Sequence, residues 1–164
     1  MGPFVFLCYT FFMKTIETWF ELYGVSHKNP TNIMIHKLCV PLIMWSLLGM
    51  LWMIPVPSFM ANIHLNWCYI FMIAAYSFYF SLKSVKLIFV MTLMVTPVIY
   101  LLEIYGAVYS KEILYSCIGV FILAWSGQFI GHKIEGKKPS FLEDIQFLLI
   151  GPGWCLNDLF KITK

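Results

Sequence analysis

Arginine is absent from this sequence. All 11 basic residues are lysines, and charged residues of every kind make up only 12% of the 164 positions. Soluble domains carry about 25%. The net charge of +3 is too small to imply a nucleic-acid surface. The five cysteines (Cys8, Cys39, Cys68, Cys117, Cys155) are odd in number and widely spaced, with no C-x-x-C. That argues against a disulfide framework or a zinc site and leaves them as apolar packing residues. There is no G-x-S-x-G, no H-E-x-x-H and no Gly-rich phosphate loop, so the best-known hydrolase, zinc-protease and nucleotide signatures are missing. The apolar start, Met1 to Phe12, has no preceding basic residue and no clear small-residue cleavage site, as a secretory signal would. We expect residues 1–12 to be a dispensable extension, with Met13 an alternative start, and residues 13–164 to form one integral membrane domain.

What is present is apolar, at 60% of residues, and it comes in blocks. Four runs, Leu38–Ile54, Trp67–Leu82, Leu87–Leu102 and Ile113–Ile130, are 16 to 18 residues long. A crossing helix needs about 17–25 residues, and flanking Trp, Tyr and Lys can extend a short one. Aromatic residues reach 18%, as expected where Trp and Tyr sit at bilayer interfaces. The expected fold is all-α: a polytopic membrane protein of about four transmembrane helices plus interfacial amphipathic helices. Lys14 to Tyr23 is one of these, with Ile16, Trp19, Phe20 and Tyr23 on one face and Glu17 and Glu21 on the other. Asn29-Pro30 reads as the cap and first turn of the next helix. Phe141 to Ile150 is a second amphipathic stretch. Gly151-Pro152-Gly153 is expected to break it before a last helical turn or two from Trp154.

Four spans sort the lysines. Lys111 falls on one side and the other ten fall opposite, so both termini are expected in the cytoplasm. The histidines sort in the same way. His27, His36 and His132 come to the cytoplasmic boundary, while His64 lies across the bilayer. Gln128, His132 and Glu135 occupy positions i, i+4 and i+7 of one helix, sharing a face. Polar groups at a membrane boundary are costly unless they bind something or one another. From the residues alone the three histidines are open between a metal site and interface residues that cap helices.

Two segments then resemble a known family. Tyr23-x-x-x-His27-x-Asn29-Pro30-x-Asn32-x-x-Ile35-His36, followed by Val40-Pro41, is similar to the N-terminal signature of the fungal 2-hydroxy fatty acid dioxygenase and its bacterial relatives. Gln128-Phe129-x-Gly131-His132-x-x-Glu135-x-x-x-Pro139 is similar to a second signature. Gly151-Pro152 with Asp158 six positions on resembles a third. The resemblance implies an Fe(2+) enzyme taking a long-chain 2-hydroxy fatty acid and O₂ and yielding the acid one carbon shorter. It implies His27, His36 and His132 as metal ligands, with Glu135 and Gln128 in catalysis. Asn32, Lys28 and Lys133 would bind substrate, with Asp158 as an outer partner. The chain differs from the fungal pattern at Lys28, where that enzyme has a second His, and it has no counterpart to that enzyme's further mid-chain His. That leaves Glu135 or Asp158 to complete the ligand shell. The acyl chain would lie among the membrane helices, in contact with lipid. The host membrane would be the endoplasmic reticulum in a eukaryote or the inner membrane in a bacterium. The competing readings are a non-enzymatic lipid-binding or scaffold membrane protein and, less well supported, a small transporter.

Overall fold

A computed structural model describes residues 14–136 and 141–163, without side-chain detail for 141–146. The extension 1–12, Lys137, Lys138, Pro139 and Lys164 lie outside the described residues, as do the side chains expected to make 141–146 amphipathic. The elements are all helical: α1 (Ile16–Gly24), α2 (Pro30–Met53), α3 (Ser58–Ala61), α4 (Trp67–Ser81), α5 (Val85–Tyr105), α6 (Ser110–Glu135) and α7 (Phe141–Phe160). No strand occurs among the described residues.

Three helices, α2, α5 and α6, are long and apolar enough to cross a membrane, at 24, 21 and 26 residues. The fourth apolar run forms α4, a shorter helix of 15 residues, or about 22 Å. Near its start Trp52 packs against Tyr69, and near its end Tyr79 bonds to Leu149 of α7. A tight turn at Leu82–Ser84 returns the chain antiparallel as α5, with Tyr76 and Thr92 joined side by side at 2.9 Å.

The N-terminus of α2 forms as its sequence dictates. Asn29 caps it, accepting from the backbone N–H of Thr31 and Asn32, and Pro30 opens the first turn, where its missing N–H costs nothing. In α1 the expected face is the buried one: Ile16, Trp19, Phe20 and Tyr23. That face is used inside the protein, with Trp19 edge-on to Phe78 of α4 and to Phe147 of α7.

The expected break at Gly151-Pro152-Gly153 does not occur, and α7 runs unbroken through it. Packing outweighs local propensity here. A Cβ on Gly151 would come within 3.1 Å of Tyr23 and Val40, and one on Gly153 within 2.5 Å of Leu87 Cδ1. The two glycines let α7 press onto α1, α2 and α5. Three prolines, Pro41, Pro97 and Pro152, sit inside helices. Each removes one rung of the backbone ladder. Close upstream of each, a neighbouring helix offers a side-chain donor to a carbonyl. Cys155 Sγ reaches His36 O at 3.5 Å, Trp45 Nε1 reaches Met94 O at 3.2 Å, and Tyr79 Oη reaches Leu149 O at 3.0 Å. In an apolar medium carbonyls near a helix break need such donors, and these tie the helices together.

The pair α2 and α6 makes the most extensive helix contact. Gly127 and Gly131, one turn apart on α6, create it. A Cβ on Gly127 would lie 2.7 Å from Cys39 Sγ, and one on Gly131 would collide with Asn32 Oδ1. Helices in lipid gain little from burying apolar surface against each other, so close approach at small residues supplies much of their attraction. This approach brings the end of α6 to the start of α2.

Candidate metal centre

His27 lies in the loop between α1 and α2, His36 in the second turn of α2, and His132 in the last turn of α6. All three are buried, at 7%, 1% and 8% exposure. One ligand nitrogen from each lies within 4.8 Å of the other two. The His27 and His36 ring centres are 4.3 Å apart, with His132 at 4.9 Å from His36 and 5.6 Å from His27.

Local geometry orients two of the rings. His27 Nδ1 lies 2.6 Å from the carbonyl of Tyr23, and His36 Nδ1 lies 3.0 Å from the carbonyl of Asn32. Each is the carbonyl four residues back. A carbonyl only accepts, so Nδ1 carries the proton and Nε2 keeps its lone pair for a ligand. A metal-bound histidine is held in this way. His36 Nε2 is buried with no hydrogen-bond partner. A buried nitrogen lone pair without a donor is costly in a protein core and is satisfied by a cation. The residues present therefore fit a transition-metal ion. Three imidazoles suit Fe, Zn, Cu or Ni, and the donor set alone does not choose among them.

Glu135 holds the frame. Its carboxylate accepts from the backbone N–H of Lys28 (3.0 Å) and Asn29 (2.8 Å) and from Asn32 Nδ2 (3.1 Å). Asn32, fully buried, also donates to Ser26 O at 3.2 Å. One carboxylate and one amide thus clamp the loop carrying His27 to both α2 and α6. Among the described residues the Glu135 carboxylate is not one of the groups whose ligand atoms converge with the three imidazoles. Gln128, buried one turn before His132, lies against His36 without a well-formed bond to its Nε2. Asp158 is exposed and paired with Lys37 at 2.5 Å, which holds its carboxyl below the usual range and so ionised. It joins α7 to α2 and makes no contact with the histidines. Lys28 and Lys133 are exposed beside the cluster. His64 stands at the opposite end of the bundle, exposed.

An aromatic wall not anticipated from the sequence closes one side. Tyr23 stacks flat on His27 at 4.2 Å and 3°, and Trp154 leans on both rings, at 4.9 Å from Tyr23 and 5.3 Å from His27. Phe147 abuts Tyr23 at 5.2 Å. The signal for Tyr23 was its place four residues before His27. Trp154 and Phe147 had none, because α7 meets the site only through tertiary packing.

Glu135→Gln sets an amide NH₂ against backbone N–H groups and removes the charge that strengthened three hydrogen bonds. Metal affinity is expected to fall about 10–100-fold, the usual cost of losing an outer partner, and excess metal should restore occupancy. Metal titration with parallel assays checks this. Unchanged metal affinity would mean that Glu135 does not hold the histidine frame.

A polytopic all-helical protein with a buried three-histidine cluster at the bundle end is the class these observations define. The chain belongs to the 2-hydroxy-palmitic acid dioxygenase Mpo1-like family, whose pattern it matches over residues 13–161. It is 26% identical over 144 residues to the 2-hydroxy-palmitic acid dioxygenase MPO1 of Saccharomyces cerevisiae, covering 85% of this chain and 77% of that protein. No solved structure matches the chain.

Proposed function

We propose that this protein is an iron(II)-dependent dioxygenase that shortens a long-chain 2-hydroxy fatty acid by one carbon. The observation that carries the reading is the buried convergence of His27, His36 and His132 in a chain of this family. The three imidazoles would hold the ion. When bound, iron(II) with nitrogen ligands and open positions supplies O₂ activation. The rest of the chemistry belongs to the protein. His27 and His36 present Nε2 because the carbonyls of Tyr23 and Asn32 hold their protons on Nδ1. Glu135 keeps the His27 loop in register. Tyr23 and Trp154 exclude water from one side, which strengthens every electrostatic contact within.

The exposed flank carries Lys28 and Lys133, which complement the carboxylate of a 2-hydroxy acid. In this reading Asn32 and Gln128 border the reacting carbon. The acyl chain extends toward the apolar helices, so the substrate reaches the site from the membrane. The test is turnover of 2-hydroxypalmitate under air with added iron(II). The acid shorter by one carbon is expected, and no product from iron-reconstituted protein would refute the reading.

The same proposal sets the histidine end in the cytoplasm. Lys37, Lys86 and Lys161 gather there through Lys37–Asp158 and Lys86 Nζ–Lys161 O, whereas Lys111 begins α6 at the other end. A cysteine placed at Lys83 should be labelled from the cytoplasmic side and one at Asn62 from the opposite side. Labelling of both from one side would overturn the topology.

A further inference from the structure

At the end of the bundle away from the histidines lies a cavity of about 420 Å³. Its walls include Trp52, Tyr69, Glu103, His64 and Asn66. Trp52 and Tyr69 stand edge to face at 5.5 Å. The Tyr69 hydroxyl donates to Glu103 Oε1 at 2.5 Å, aiming the carboxylate. No cation neutralises it: the one ion pair among the described residues joins Lys37 and Asp158, at the opposite end. His64, on the rim, holds φ 53, a left-handed conformation costly for a residue with a Cβ. Trp67 Nε1 bonds to Pro55 O at 3.1 Å and pins the loop that closes the cavity.

We propose that this cavity binds the organic ammonium head group of a membrane phospholipid, of the choline or ethanolamine type. A carboxylate in a wall shared with two aromatic side chains suits a soft, poorly hydrated cation, because an aromatic ring can add cation–π attraction to the charge. A hard metal ion needs a shell of several oxygen ligands, and here one carboxylate stands without a second. The volume lies within the range of small-molecule sites. The ligand comes from the bilayer because the cavity opens at the ends of the apolar helices. Beside it Phe59 and Ile63 are 69% and 67% exposed, positions suited to immersion in lipid.

The experiment uses the full chain in a maltoside detergent. Short-chain dihexanoylphosphatidylcholine is titrated against its phosphatidylglycerol counterpart and against choline chloride, with melting temperature and tryptophan fluorescence read together. The choline lipid is expected to give a saturable rise in melting temperature, and the glycerol lipid none. Glu103→Gln should weaken the apparent affinity about tenfold, as loss of one charge-assisted contact does, while Glu112→Gln, a carboxylate of the same end outside the cavity, should leave it unchanged. Trp52→Phe keeps the packing with a weaker π face and should weaken binding several-fold, giving a second reading if Glu103→Gln folds poorly. Equal responses to both lipids, or wild-type affinity in both cavity variants, would overturn the proposal. A response to choline chloride equal to that of the lipid would overturn the lipid source.

Discussion

Alanine at His27, His36 or His132 is expected to remove bound iron and turnover together while leaving the helical content intact. Each imidazole is one of three converging donors, and no carboxylate oxygen joins them among the described residues. Losing an outer partner of a ligand costs about 10–100-fold in affinity, so losing a ligand should exceed roughly 100-fold. The fold should persist because the main core is built from apolar side chains such as Leu48, Leu87, Val90 and Met91, which these substitutions leave in place. Elemental analysis of purified variants, with circular dichroism and the 2-hydroxypalmitate assay, checks all three readouts. Full iron and turnover in all three single variants would remove the site assignment.

The second large effect is expected at a residue with no side chain. Gly131→Ala places a methyl group onto Asn32 Oδ1 and within 3.3–3.4 Å of the His36 ring. Asn32 cannot withdraw, because its Nδ2 is held by Ser26 O and Glu135. Helix α6 must therefore move off α2, taking His132 with it. Overpacking of this kind costs about 1–3 kcal/mol, and here iron affinity should fall as well. Gly119 of the same helix supplies the control. Nothing lies within 4 Å of a Cβ built there. Gly119→Ala should be neutral or stabilise by up to about 1 kcal/mol through helix propensity. Thermal melts with metal content compare the two, and a Gly131→Ala protein as stable and iron-replete as Gly119→Ala would show that the close approach is unimportant.

Much of the site was legible in the chain because it is written in local spacing. A polar or aromatic residue precedes each histidine by four: Tyr23 and His27, Asn32 and His36, Gln128 and His132. Helical geometry sets the last two pairs and fixes His36 through the Asn32 carbonyl, whereas the turn after α1 carries His27 back onto the ring of Tyr23. The cap at Asn29-Pro30 was legible for the same reason, since its bonds close within three residues. The part played by Gly127 and Gly131 was not legible, because it depends on the facing surface of α2.

The sequence by itself determined the helices, through apolar run length, and sorted the histidines by end, through lysines that resist burial in lipid. Tertiary structure decided what contacts between distant segments decide. It carried α7 through Gly151-Pro152-Gly153, because Tyr23, Val40 and Leu87 leave no room for side chains there and Tyr79 serves a carbonyl beside the gap. It engaged Glu135 with the N–H groups of Lys28 and Asn29, more than a hundred residues earlier. It matched Asp158 to Lys37 instead of to an imidazole. A carboxylate goes to the nearest donors the fold presents, and the distance to those donors is set by how closely two helices can approach, a property of their facing surfaces and not of either sequence segment alone.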